Sequence, residues 1–264
     1  MKTIGVVMLD RRQKICADRL ERSGYVVIRL AEQHDLQYLS QLDALVLPVR
    51  GIDSHHSIAI PSGELRFQDH YQQLKPDALL FTGIYNETLK TWNRKIIYLM
   101  EQEDVIEANA LLTAQGVLAY ILDHIEQGIR EVTFDIIGYG HCGKHIAAFL
   151  RGLQAPVCVI RRSVDEQEDM PQEAYETWKQ KTKFSDVVIN TAPAMVIDET
   201  MIASLSHKPL FLDLASRPGG IDVQACEKYG VKCIVAPTLP AIYTPVSAGE
   251  IIAKAIEKEM SSLG

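Results

Sequence analysis

The stretch 132–152, VTFDIIGYGHCGKHIAAFLRG, limits what this chain can fold into more than any other. Residues 132–137 form a short, mostly apolar run of β-branched and aromatic residues, which predicts a buried strand. Gly138, Gly140 and Gly143 follow as G-x-G-x-x-G, and Ile146, Ala147, Phe149 and Leu150 then recur with a helical period. Strand, glycine turn and helix in that order are what a dinucleotide site needs. Gly138 permits the tight turn, Gly140 lets the backbone approach a pyrophosphate, and Gly143 lets helix and strand pack closely, with the helix N-terminus facing the anion. Tyr139, His141 and Cys142 share this loop and join the candidate cofactor site. The same spacing also occurs in βα turns that hold no ligand. His141 and His145 stand at i and i+4, a spacing read here as contact with phosphate or solvent and not as a metal pair.

The residues after the motif favour a ligand. Residues 156–160 predict the next strand, and Arg161, Arg162 and Ser163 end it. An acidic residue at that place would hydrogen-bond a ribose 2′-hydroxyl. Two guanidiniums and a hydroxyl suit a 2′-phosphate instead, so NADP is expected ahead of NAD; the alternative is a pair of solvated arginines. Residues 186–190 predict a third strand ending in Thr191, Ala192 and Pro193, where backbone and short side chains meet a cofactor. Residues 209–214 predict a fourth, running into the charged, glycine-rich segment Asp213-Leu214-Ala215-Ser216-Arg217-Pro218-Gly219-Gly220. Ala215 and Ser216 are also assigned to the cofactor. Residues 231–235 are a fifth strand, 236–245 a loop stiffened by three prolines, and 247–260 a final helix.

The opening of the chain repeats the α/β pattern. Strands are expected over 3–9, 25–30, 42–49 and 77–83, with a helix over 14–23. The first turn, LDRRQK, has no glycine, so this half is read as a Rossmann-like domain that does not bind the dinucleotide. Residues 50–76 are polar and irregular, suiting a loop with a short hairpin. His55-His56 within it is taken as a solvated pair, because no carboxylate or thiol cluster completes a metal site. Asn86 lies in the loop 83–86 at the carboxyl end of a strand, where ligands collect, and equally suits an N-cap. Helices are expected over 88–101, 113–127 and 173–181.

The fold class is therefore α/β: two Rossmann-like domains with parallel sheets, connected by hinge helices, with a cleft between them. The expected boundaries are 1–110 for the first domain, 111–128 for a connecting helix, 129–245 for the NADP-binding domain, and 246–264 for a helix returning to the first. A net charge of −7 argues against nucleic acid as a partner and requires local arginines for any anionic ligand. Five cysteines without C-x-x-C spacing suit a reducing cytoplasm. No signal peptide and no apolar window long enough to cross a bilayer are expected, so no membrane partner is either. A homo-oligomer is left open.

The run LDLASRPGGID at 212–222, followed by APTLPAIYTPVSAGEIIA at 236–253, resembles the A subunits of bacterial dipicolinate synthases. Asp10-Arg11, Gly83-Ile84-Tyr85-Asn86, Asn109 with Thr113-x-x-Gly116, and Arg162-Ser163 extend the resemblance over most of the chain. Two departures stand out. Met8-Leu9-Asp10 keeps only the Asp of the family's G-G-D, and His141 replaces an arginine common in the glycine loop. The resemblance implies an oxidoreductase making pyridine-2,6-dicarboxylate from dihydrodipicolinate, a branch of lysine biosynthesis. It further implies the mother cell of a sporulating bacterium and, as the partner, a smaller, flavoprotein-like B subunit.

A small dicarboxylate substrate needs cationic clamps. Arg217 is the first candidate, catalytic by contact with the substrate, with the amides of Gly219 and Gly220 as an anion nest; otherwise Arg217 pairs with Asp213 or Asp222. Asn86 and Tyr243 are further substrate-binding candidates, and Asp213 or Tyr243 is the candidate base. Two other readings remain. One is an NADP-binding regulatory or scaffold subunit whose B partner completes the chemistry. The other is a different two-domain NADP oxidoreductase, shikimate-dehydrogenase-like, using Lys75 and Asp77 as an acid–base pair.

Overall fold

The structure is a computed structural model that describes every residue except Glu168, Ser216, Arg217, Pro218, Pro237, Leu263 and Gly264. The chain divides into two compact units, Met1–Asn109 with Thr244–Gly264, and Ala110–Tyr243.

The first unit opens with β1 (Thr3–Val7), α1 (Arg11–Arg22), β2 (Val26–Leu30) and β3 (Ala44–Val46). A hairpin, β4 (Ser57–Ile60) and β5 (Gly63–Arg66), precedes β6 (Leu79–Thr82), α2 (Glu87–Lys90) and β7 (Ile96–Tyr98). Five strands form a parallel sheet in the order β2-β1-β3-β6-β7. Its strands read as nearly unbroken apolar runs because both faces are covered. The direction of winding reverses between β1 and β3. Helix α3 (Glu103–Leu122) then carries the chain from the first unit into the second.

The second unit contains β8 (Phe134–Ile137), α4 (His141–Gly152), β9 (Val157–Arg161), β10 (Gln172–Ala174), α5 (Tyr175–Trp178) and β11 (Val187–Asn190). It continues through α6 (Glu199–Ala203), β12 (Leu210–Asp213), α7 (Val223–Tyr229), β13 (Cys233–Val235) and α8 (Leu239–Tyr243). All six strands are parallel, in the order β10-β9-β8-β11-β12-β13, and winding reverses between β8 and β11. One face packs Ile136, Val159 and Ile189 against Ile146, Ala147 and Leu150 of α4 and Val117 and Ile121 of α3. The other packs Ile160, Val188 and Phe211 against Trp178, Phe184 and Ile202. The last helix, α9 (Pro245–Ser261), belongs to the first unit, where Ile252, Ala253 and Ile256 join Ile4, Val6 and Leu20 in one core.

Four expectations need correction. The helix expected over 88–101 is instead α2 followed by the strand β7: Ile96, Ile97 and Tyr98 pair with Leu80, Phe81 and Thr82. A short apolar run satisfies strand and helix patterns alike, and here the open edge of β6 decides. The connecting helix begins at Glu103, ten residues before Thr113, with Glu103 and Asp104 in its first turn, where acidic groups favour the dipole. The helix expected over 173–181 is the edge strand β10 and the single turn α5. Finally, α3 is long and apolar enough to cross a membrane by length and composition. Its Val105, Ala114, Val117 and Ile121 are nevertheless buried in the cores of the two units.

Candidate nucleotide and substrate site

The glycine loop occupies the point in the second sheet where winding reverses, after β8 and beside the end of β11. Gly138 adopts φ +95°, which an L side chain resists, and a Cβ there would meet Thr191 Oγ1 at 2.5 Å. That hydroxyl donates to the Ile137 carbonyl at 2.9 Å. A Cβ on Gly143 would collide with the Gly138 carbonyl oxygen. These two glycines therefore let α4 close onto β8. Gly140 is different: a Cβ there meets nothing within 4 Å, and as N-cap of α4 it offers no side-chain hydrogen bond. The twelve-residue helix thus starts at an N-cap that has no side chain and open space around it, the arrangement that suits a pyrophosphate. The residues present fit a dinucleotide.

Arg161 ends β9 half-buried. Its Nη1 donates to Gln172 Oε1 at 3.2 Å, and its guanidinium lies 5.4 Å from the centre of the Tyr139 ring. Gln172 is fixed in turn by Asp165, whose amide it accepts at 3.1 Å and to whose carbonyl it donates at 2.9 Å. Arg162 and Ser163 follow, both exposed. The structure thus brings together Tyr139 and Arg161, with His141 and Cys142 half-buried in the first turn of α4. Across the reversal, Thr191 and Ala192 are half-buried and Pro193 is exposed at the end of β11.

The end of β12 carries a buried polar brace. Asn190 and Asp213 are both fully buried, and Asn190 Nδ2 donates to Asp213 Oδ1 at 2.8 Å. Asp213 also accepts from the amides of Ala215 at 3.0 Å, Gly220 at 2.8 Å and Ile221 at 3.3 Å. Both carboxylate oxygens are thereby occupied in holding the ends of the segment 214–221. This corrects the reading of Asp213 as a base. It also corrects that of Gly220, whose amide serves Asp213 and where a Cβ would collide with Asn190 and the Ala194 carbonyl. Gly219 takes φ +93° at the same turn. Ser216 and Arg217 lie outside the described residues. Asn190 is not among the sequence candidates: a buried asparagine closing a strand leaves no periodic signal, and its partner is 23 positions away.

Two more substrate candidates are used structurally. Asn86 caps α2, accepting from the Leu89 amide at 2.9 Å, while its Nδ2 donates to the carbonyls of Arg50 at 2.9 Å and Ile52 at 2.8 Å. Its N-cap role is the one realised. Tyr243 sits edge-on to Tyr120 at 6.2 Å. Partial burial first, then the negative charge of Asp123, pushes its hydroxyl above the usual phenol range, opposite to what a base requires. The Lys75–Asp77 pair does not form: Lys75 Nζ bonds Asp43 Oδ1 at 2.7 Å. His56 is likewise occupied, accepting from Trp92 Nε1 at 2.8 Å and stacking on Tyr71. Among the described residues no cluster of His, Cys, Asp or Glu is placed to hold a metal.

Residues 99–213 match the family D-isomer specific 2-hydroxyacid dehydrogenase, NAD binding domain, which supports a nicotinamide cofactor. The chain is 32% identical over 236 residues to the A subunit of dipicolinate synthase from Bacillus subtilis, covering 84% of this chain and 79% of that one. The crystal structure of the dipicolinate synthase A subunit from Bacillus halodurans superposes with a TM-score of 0.86 at 25% identity, over 98% of both chains. That of the Bacillus subtilis A subunit gives 0.85 at 28% identity, over 99% and 96%.

Proposed function

The chain belongs to the family of dipicolinate synthase A subunits, and from this we propose that it is the NADP-dependent subunit that oxidises dihydrodipicolinate to pyridine-2,6-dicarboxylate, in the cytoplasm of a sporulating mother cell and together with a B subunit. The observation that carries this reading is the open face at Gly140 beside the basic end of β9.

A bound nicotinamide dinucleotide supplies the hydride acceptor for the oxidation. The ring loses one hydride and one proton, and aromatisation drives the step, so no strong base is required. The work of the protein is to bind and orient. Gly138 and Gly143 close the turn, and Gly140 keeps the helix terminus open for the pyrophosphate. Arg161, Arg162 and Ser163 receive the 2′-phosphate, Arg161 already steered by Gln172 and Tyr139. Arg217 clamps a substrate carboxylate. Asp213 acts on it indirectly, as a positioning residue that fixes the segment bearing Arg217.

The test is a titration of NADP⁺ and NAD⁺ into the wild type and the double variant Arg161→Ala/Arg162→Ala. Losing two charge-assisted contacts to a phosphate should weaken NADP⁺ by ~100-fold and NAD⁺ by no more than a few-fold. Equal, small losses would overturn the 2′-phosphate assignment. Turnover assays of this chain by itself, of its B partner by itself and of both together separate an active enzyme from a scaffold: pyridine-2,6-dicarboxylate formed by this chain by itself excludes the scaffold reading.

A further inference from the structure

The first unit buries one arginine that the nucleotide chemistry does not use. Arg12 is 9% exposed, an uncommon state for a guanidinium, whose burial is costly unless its donors are satisfied. Nε donates to both oxygens of Asp10 at 3.1 Å, and Nη2 donates to Oδ2 at 2.7 Å. One edge of the fork is thereby fixed. Both hydrogens of Nη1 and one of Nη2 have no partner among the described residues, although an arginine offers five donors.

Its position is as informative as its burial. Asp10 and Arg12 follow β1 where the first sheet reverses its winding, between β1 and β3, and ligands of open parallel sheets bind at the carboxyl ends of strands at such a reversal. The helix that starts there has one carboxylate, Asp10 at its N-cap, among several cations. The first turn of α1 has no acidic residue and carries Arg11 and Arg12, with Lys14 next, whereas helix N-termini favour anions. The unpaired edge of Arg12 is not sealed from solvent, and the Asp10 carboxylate at the N-cap offsets part of the basic helix start. A planar anion can meet that free edge without displacing Asp10.

We propose that Arg12, held by Asp10, is a carboxylate subsite of the first unit and binds one carboxylate of the ring dicarboxylate. The inference rests on the substrate class proposed above. A guanidinium fork matches the two oxygens of a carboxylate, and prior fixation by Asp10 lowers the entropy lost on binding. Asp10 and Arg12 are positioning and binding groups, and neither transfers a proton.

The experiment titrates pyridine-2,6-dicarboxylate, pyridine-2-carboxylate and inorganic phosphate into the full chain, wild type and variants, with NADP⁺ affinity and thermal unfolding measured alongside. The wild type should prefer the dicarboxylate over the monocarboxylate. Arg12→Ala should weaken the dicarboxylate by ~10- to 100-fold and bring the two ligands within a few-fold of each other, with NADP⁺ affinity unchanged. Arg12→Lys accompanies it in case the alanine variant fails to fold; it keeps the charge without the fork and should lose ~10-fold. A folded variant that keeps the wild-type preference overturns the Arg12 assignment alone. A wild type with no preference for the dicarboxylate overturns the proposed substrate class and this inference with it. Phosphate binding as tight as the dicarboxylate, and equally lost in the variants, marks a general oxyanion site and overturns the assignment as well.

Discussion

The two sheets are built on the same plan and diverge at one turn. In each, three residues lie between the last residue of the first strand and the first residue of its helix: Val7 to Arg11, and Ile137 to His141. Both helices have twelve residues. The alignment pairs Asp10 with Gly140 as N-cap and Gln13 with Gly143 at the third helical position. In the first unit the Asp10 carboxylate accepts from the Arg12 amide at 2.8 Å, and Gln13 bonds back to the Asp10 amide at 3.1 Å. The helix terminus there has a built-in anion. In the second unit the N-cap carries no side chain. One turn is closed by its own carboxylate and carries a guanidinium; the other has no side chain at its N-cap and open space around it. The two turns thus differ in chemistry, and the difference resides in the side chain at the N-cap.

The sharpest way to break this contrast is to write the first turn into the second. Gly140 has φ −82° and open space around a would-be Cβ, so Gly140→Asp fits the existing backbone. The new carboxylate should cap α4 and change stability by only a few tenths of a kcal/mol, about the difference between Gly and Asp at an N-cap. It should lower NADP⁺ affinity by ~100-fold or more, because a fixed negative charge occupies the anion's place. Fluorescence titration with parallel thermal unfolding reads both. A variant that binds normally would show that the helix terminus is not where the nucleotide sits.

The next largest effect concerns the brace at the other lip of the second sheet. Asp213→Ala leaves the Asn190 amide and the amides of Ala215, Gly220 and Ile221 without their acceptor. Burial of unpaired donors should cost about 2 kcal/mol or more in urea unfolding. Among the described residues of the first unit, the corresponding strand end is fixed differently, by the Thr82 hydroxyl on the Pro48 carbonyl at 2.9 Å. If Asp213 only positions the segment after it, Asp213→Asn, which keeps one acceptor oxygen and sets an NH2 against the remaining donors, should lower stability and turnover together, whereas loss of a base alone would lower turnover further than the lost stability accounts for. A pH–rate profile for the asparagine variant with its acid limb unaltered would support positioning.

Much of this is legible in the sequence, and the reasons for the gaps are local. The glycine spacing, the apolar strands of the second unit and the basic end of β9 are short-range patterns with direct physical meaning. β7 reads as helix because Ile96, Leu99 and Met100 match a helical repeat, while the edge they complete is visible only once β6 is placed. The Asp10–Arg12 clasp needs a helix start at Arg11, which the residue pattern puts several positions later. The Asn190–Asp213 pair joins the ends of two strands and has no sequence periodicity. The resemblance at 212–222 marks the segment without revealing that Asp213 holds its ends.

The smallest expected effect tests how far the parallel between the sheets extends, at their opposite ends. Asp43 precedes β3 and accepts from the Thr3 amide at 2.7 Å. Asp186 precedes β11 and accepts from the Thr133 amide at 2.9 Å and its hydroxyl at 2.7 Å. Each aspartate ties the strand beside the winding reversal to the start of the first strand. Both carboxyls are held below the usual range. For Asp186 the Thr133 amide and then its hydroxyl do this. For Asp43 burial pushes the value up, and Lys75 with the Thr3 amide outweighs it. A folded-state value below the unfolded value of about 3.9 means that the stabilisation is fully present above that pH and lost as pH falls through the folded value. Asp43→Asn and Asp186→Asn should therefore flatten the acid limb of stability below about pH 4, with at most about 1 kcal/mol from each half-exposed clasp at neutral pH. Urea midpoints at about pH 3 and pH 6 measure it. If one variant flattens the acid limb and the other does not, the two clasps are equivalent in geometry but not in energy, and the Lys75 contact present only in the first unit is the place to look for the difference.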